Sequence, residues 1–174
     1  KGLEIDFKIQ GFSGKNIKVY TTRPDTLSGV TYIAISAYNE IIDDICDKSK
    51  IDEIRVFSKE NRQITSDDKF EIEKKGIYSG ACAINPLTGS KVDIWITNYV
   101  IADYGSGAVM GVPAHDTRDF DFAIKYGLQI KQVVEPKENC NTREECYAGD
   151  GIMINSDRLN GLTNKEAKEE IIRL

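Results

Sequence analysis

The chain has 174 residues, 40% hydrophobic and 29% charged, which suits one globular domain with a core of its own. A net charge of −5 argues against a surface that grips duplex nucleic acid by neutralising phosphates, so any nucleic-acid contact is expected to be local, such as a strand end entering a pocket. No apolar run approaches the ~20 residues of a membrane helix and there is no signal-peptide pattern, so no membrane association is expected.

In chain order, Leu3, Ile5, Phe7 and Ile9 alternate with Glu4, Asp6, Lys8 and Gln10, the period of a half-buried strand. Gly11 to Asn16 turns the chain and Ile17 to Tyr20 reads as the returning strand. A polar loop, Thr21 to Thr26, precedes a β-branched run from Val30 to Ile35. Tyr38 to Lys48 reads as a helix and Ile51 to Asn61 as a weaker one, while Ser66 to Lys75 reads as a solvated loop. Gly76 to Ile84 and Val92 to Ile101 read as strands joined by the turn Asn85-Pro86-Leu87-Thr88-Gly89.

Ala108 to Val112 reads as a short strand, and Asp116 as the start of a helix with Phe120, Ala123 and Ile124 on one face and Gly127 at its end. Leu128 to Val134 is the next expected strand, followed by a polar loop from Glu135 to Asp150. Thr163-Asn164-Lys165-Glu166 has the form of a capping box opening a helix through Leu174. The expected fold is α+β, a small distorted β-barrel of short strands, closed or nearly so, decorated by helices. With neither repeat nor linker it is expected to be one domain over residues 1–174. Its ends, a strand pattern at Lys1 and a helical one at Leu174, suggest a piece of a larger protein.

Two segments concentrate polar chemistry at the ends of apolar runs: Thr21-Thr22-Arg23-Pro24-Asp25-Thr26, and Tyr104-Gly105-Ser106-Gly107 leading through Met110 and Val112-Pro113-Ala114-His115-Asp116-Thr117-Arg118-Asp119. A shared site would have to be assembled by the fold. Asp116 has two readings: an N-cap, with Asp119 supporting the helix dipole, or a carboxylate that receives a cationic group. Thr21, Thr22 and Arg23 read either as an ordinary strand end with one surface ion pair, or as the lining of a pocket for an ester and a ribose. Gly105-Ser106-Gly107 lacks the continuation of a phosphate loop. No GxSxG elbow accompanies His115 and Asp116, so a serine-nucleophile triad is not expected. Cys46, Cys82, Cys140 and Cys146 form no CxxC pair and His115 is the only histidine, so no metal site is expected. Reduced thiols are the preferred cysteine state, with disulfides the alternative.

These residues are similar to the editing domain of bacterial or organellar leucyl-tRNA synthetases. The likeness rests on the Thr21–Thr26 loop, the Pro86-Leu87-Thr88-Gly89 turn, Trp95, Asn98-Tyr99 and the run from Tyr104 to Asp119. Gly2 to Phe7, Asn155-Ser156 and Gly161-Leu162 add to it, so it covers nearly the whole chain. The resemblance implies post-transfer editing: hydrolysis of the ester of mischarged tRNA(Leu) carrying norvaline, isoleucine or methionine.

It implies that Asp116 binds the α-ammonium and that Thr26 narrows the pocket against leucine. Thr21, Thr22 and Arg23 would meet the ester and terminal adenosine, and Tyr104 would hold that adenosine. Met110, Val112, His115 and Arg118 would line the substrate site, with Asp119 supporting the Asp116 loop. Implied partners are the 3′-terminal adenosine of mischarged tRNA(Leu) and the remainder of the synthetase, in a monomer that is cytoplasmic or organellar. No cofactor is implied for this domain. ATP belongs to the parent's catalytic domain, whose HIGH-like and KMSKS-like motifs are missing here, so no aminoacylation by this segment is expected. A free-standing deacylase and a non-catalytic module binding the tRNA 3′ end or adenosine are the alternatives.

Overall fold

The N-terminal alternation becomes β1 (Leu3–Ile9), with Ile5, Phe7 and Ile9 buried and Glu4, Asp6 and Lys8 exposed between them. The structure is a computed structural model that describes residues 2–61, 73–101, 106–136 and 146–174. β2 (Asn16–Thr21), β3 (Tyr32–Ser36), β4 (Gly76–Ile84), β5 (Lys91–Thr97) and β6 (Ala108–Gly111) join β1 in a six-stranded sheet of order β2-β1-β4-β5-β3-β6. β3 lies parallel to β5, from Tyr32 opposite Asp93 to Ser36 opposite Thr97. Every residue of β3 is buried, as its unbroken apolar run requires of a strand covered on both faces. β4 runs antiparallel to β5, and their register slips between Tyr78 and Cys82, where Gly80 takes a φ of +85°.

The chain forms two compact units that it visits in alternation. Glu4–Tyr20 and Tyr32–Met110 make the sheet unit; Thr21–Thr31 and Gly111–Leu174, with the N-terminal end, make the other. The sheet unit is centred on Phe7, Val19, Ile33, Ile35, Ile94 and Ile96, all fully buried.

The expected barrel closure is corrected here. The Ser106 hydroxyl just before β6 reaches the Lys18 carbonyl in β2, yet those two strands do not neighbour one another in the sheet, which stays open. The helix order is corrected too. The span expected as a helix from Tyr38 contains only the single turn α1 (Ile42–Ile45), because Cys46 goes extended and the Asp47 side chain accepts the Ser49 N–H to cap a new helix. That helix, α2 (Lys48–Glu60), is the longer one and buries Ile54 and Phe57.

In the other unit, α3 (Thr117–Tyr126) starts on the Asp116 cap and stops at Gly127, left-handed at a φ of 65°. Its buried face carries Asp119, Phe122 and Ala123, whereas Ile124 is 62% exposed, so the expected face is rotated. Of the strand expected from Leu128, only β7 (Val134–Pro136) extends into a ladder, and it pairs with β8 (Gly151–Met153) in a separate two-stranded sheet. The backbone N–H of Val133 goes instead to the His115 ring. The capping box forms as expected at the head of α4 (Asn164–Ile172), Thr163 and Glu166 each bonding the other's backbone N–H. Leu27, Phe122, Val133, Val134, Met153, Leu159 and Ala167 fill the core of this unit. The expected loops over 66–75 and 135–150 fall largely on 66–72 and 137–145, outside the described residues.

Candidate functional site

The Thr21–Thr26 loop is folded by its own side chains. The Thr21 hydroxyl accepts the Arg23 N–H at 2.9 Å, and Pro24, with φ already fixed, opens a short 3-10 helix, Pro24–Gly29. Thr26 donates both its N–H and its hydroxyl to the Arg23 carbonyl, at 3.1 and 2.9 Å, and is 2% exposed. Thr22 is left exposed. Asp25 is fully buried, and a buried carboxylate must be surrounded by donors. Arg23 supplies Nε and Nη2 at 3.2 and 3.0 Å, Asn164 of α4 its amide at 2.7 Å, and Lys168 stands 3.7 Å away. The remaining arm of Arg23, Nη1, donates to the Ala148 carbonyl at 3.1 Å.

The segment after β6 is braced as tightly. The Val112 carbonyl accepts from both His115 and Asp116 N–H, and the Val112 N–H donates to Asp119 Oδ2 at 2.8 Å. His115 Nε2 faces two N–H donors, Val133 at 2.9 Å and Val134 at 3.1 Å, so it must be the unprotonated nitrogen. The proton then sits on Nδ1 and is donated to the Tyr147 carbonyl at 2.7 Å. Burial pulls the His115 pKa below its ordinary value, and the Arg23 charge adds to that against the Tyr147 bond. Both ring nitrogens are thus used within the fold, which makes His115 a brace of the loop wall.

Asp116 serves as the cap, accepting the Arg118 N–H at 2.8 Å and the Asp119 N–H at 3.4 Å. Its outer oxygen is 3.0 Å from the Arg118 guanidinium. Burial raises the Asp116 pKa, but the bond and charge of Arg118 and the two N–H donors outweigh it and hold the carboxyl below its ordinary value. Its side chain is 33% exposed and that of Arg118 76%. A carboxylate kept ionised and in reach of solvent can receive a cation.

The fold gathers the Thr21–Thr26 loop and the second segment from Gly111 onward into one unit. Thr31 N–H bonds the Gly111 carbonyl at 3.1 Å. A Cβ on Gly29 would lie 2.8 Å from Val133 and 3.3 Å from Val112, so only glycine permits this approach. Thr21, Thr22, Arg23, Thr26, Val112, His115, Asp116, Arg118 and Asp119 all belong to this unit; Met110 lies on β6 in the sheet unit, and Tyr104 is outside the described residues. Sequence reasoning gave no role to Asp25, Asn164 or Lys168. The capping-box pattern used Thr163 and Glu166 and left Asn164 without a signal, since its partner lies 139 residues away. Cys46, Cys82 and Cys146 are free thiols, and burial with Asp116, Asp119 and Asp121 nearby pushes Cys146 up to about 11. Cys140 is outside the described residues.

Two arginine–aspartate pairs, an exposed threonine and a buried imidazole with both ring nitrogens engaged thus lie within one compact unit. The family described as leucyl-tRNA synthetase, editing domain, matches residues 1–174, and this chain belongs to that family. It is 42% identical to the leucine–tRNA ligase of Thermotoga maritima over 179 residues, covering 98% of this chain and 21% of that protein. It is 44% identical to that of Borreliella afzelii over 177 residues (99% and 21%) and 45% to that of Prochlorococcus marinus over 179 residues (99% and 20%). The chain therefore spans about a fifth of the length of these curated relatives. The crystal structure of an Agrobacterium radiobacter LeuRS in a ternary complex with tRNA and LeuAMS aligns with a TM-score of 0.64 at 32% identity, covering 79% of this chain and 16% of that one. The match supports a mixed α and β fold of the editing-domain type, and in this chain the sheet is open.

Proposed function

We propose that this chain carries out post-transfer editing within leucine–tRNA ligase, hydrolysing the ester of tRNA(Leu) charged with norvaline, isoleucine or methionine. The observation that carries this reading is the Asp116 carboxylate: it is ionised, partly exposed and in the same unit as the Thr21–Thr26 loop. Its ion pair with the largely exposed Arg118 is worth only about 0–1 kcal/mol, so a substrate α-ammonium can take Arg118's place at small cost.

With the ammonium on Asp116, the ester lies toward Thr21, Thr22 and Arg23. Water attacks the ester carbonyl carbon, and charge developing on the carbonyl oxygen is met by hydroxyl and guanidinium donors fixed in advance. The bond to the ribose oxygen then breaks, that oxygen takes the proton with help from the neighbouring ribose hydroxyl, and the amino acid and tRNA leave. Arg23 meets the terminal adenosine, and Val112 lines the amino-acid side. Asp119 and His115 act through the backbone they brace. Thr26 is the wall that leucine strikes: its hydroxyl is tied to the Arg23 carbonyl, which fixes its rotamer. The domain works without a cofactor, as part of a monomeric synthetase of the cytoplasm or an organelle, with the 3′ end of tRNA(Leu) as its partner.

The test uses full-length ligase with norvalyl- and leucyl-tRNA(Leu). The wild type should hydrolyse the first and spare the second, and Thr26→Ala should hydrolyse both, because overpacking of about 1–3 kcal/mol is within one substitution's reach. Leucyl-tRNA(Leu) that stays intact with Thr26→Ala would remove Thr26 as the gate. A wild type inert toward norvalyl-tRNA(Leu) would remove the editing assignment.

A further inference from the structure

The buried group at the centre of the Thr21–Thr26 loop is Asp25, and the donor that approaches it most closely comes from the far end of the chain. Asn164 is 3% exposed and occupies the first position of α4. Its amide orientation is fixed by its neighbours. On one side is the Asp25 carboxylate, which only accepts, at 2.7 Å; on the other is the Gly151 N–H, which only donates, at 2.5 Å. One side chain therefore joins the loop, β8 and α4. Lys168, one turn along α4, adds its charge 3.7 Å from the other Asp25 oxygen.

The carboxylate so held is what grips Arg23 at Nε and Nη2, while Nη1 is tied to the Ala148 carbonyl. Arg23 side-chain exposure is 29% and that of Asp25 is zero, so the guanidinium reaches solvent from a fixed, buried anchor. The position of Arg23 is thus decided one bond further back, where Asn164 sets the carboxylate.

We infer that Asn164 is a positioning residue for Arg23, and that α4, through Asn164 with Lys168 in support, holds the Thr21–Thr26 loop in its working shape. The inference rests on the editing reading for its catalytic consequence and on geometry alone for its structural one. A donor to Asp25 is the group required; an acceptor for Gly151 is a separate, purely structural duty. Asn164→Asp separates the two, since it keeps the size and the acceptor but puts a carboxylate against Asp25, where like charges repel.

The test is made in full-length ligase with Asn164→Ala, Asn164→Asp, Arg23→Ala and the Arg23→Ala/Asn164→Ala double variant, and Lys165→Ala as the exposed control on the same helix. Norvalyl-tRNA(Leu) hydrolysis is measured beside hydrogen exchange of the 21–29 segment. Both Asn164 variants should lose hydrolysis on the order of ten- to a hundred-fold, as misplaced catalytic groups do, and the double variant should be no worse than Arg23→Ala alone. Exchange over 21–29 should rise in both Asn164 variants and not in Lys165→Ala. Full activity in Asn164→Asp, or losses that multiply in the double variant, would overturn the positioning role. If the wild type hydrolyses nothing, the editing reading fails by itself, and the exchange measurement still decides: unchanged protection of 21–29 in Asn164→Ala overturns the inference.

Discussion

The site unit contains two arginine–aspartate pairs with the same spacing in sequence and the same N···O distance of 3.0 Å, Arg23–Asp25 and Arg118–Asp116. They differ in burial. The Asp25 side chain has no exposure and that of Arg23 29%; those of Asp116 and Arg118 have 33% and 76%. A buried acid must be matched by donors or it destabilises the fold, so the first pair is a structural anchor. An exposed pair contributes little and exchanges partners readily, which is what the proposed ammonium receptor requires of the second. The same 3.0 Å contact thus stands in two different environments, closed at Asp25 and open at Asp116.

The largest effect is expected from removing the anchor. Asp25→Ala should cost about 3 kcal/mol, the scale for breaking a buried pair from one side, which is roughly 6–12 °C of melting temperature for a chain of this size. A melt within 2 °C of wild type would erase the distinction between the pairs. An intermediate effect should come from acid. His115 is neutral in the native state with its pKa lowered, so the unfolded chain binds the extra proton first. Its contribution is fully present above the ordinary value of 6.5 and is lost as pH falls from there toward the lowered native value. Melting temperature followed from pH 7.5 downward should fall more steeply for wild type than for His115→Gln. Parallel curves would mean that His115 does not brace the loop. The smallest effect belongs to Arg118→Ala, expected to change stability by less than about 1 kcal/mol and to leave hydrolysis largely intact. A large loss there would make Arg118 part of the chemistry instead of a placeholder.

Local signals carried much of the fold. The period-2 pattern of β1, the Asp116 cap with Gly127, and the Thr163–Glu166 box all depend on neighbours a few residues apart, and all stand in the structure. Features fixed by distant partners were not legible. Residues 128–133 look strand-like, but the Val133 N–H belongs to His115 and the Lys131 carbonyl sits where Gly29 packs. The buried face of α3 differs from the expected one because Asp119 turns inward to take the Val112 N–H, which leaves Ile124 in solvent. Asp47, a cap easily passed over in a stretch already dense in Asp and Lys, divided one expected helix into α1 and the start of α2. At the site, the two polar loops could be marked from residue types, but the Asp25–Asn164 link spans 139 residues and left no trace in spacing.

The central claim, that Asp116 is a receptor and more than a cap, is tested most directly by Asp116→Ala in full-length ligase, with deacylation and melting measured on the same preparation. The account predicts that stability falls by only about 1 kcal/mol, the worth of a helix cap. Norvalyl-tRNA(Leu) hydrolysis should fall roughly 30-fold or more, as expected when a charge-assisted contact worth about 2–5 kcal/mol is lost. Hydrolysis that survives within a few-fold of wild type would contradict it and leave Asp116 as a cap alone.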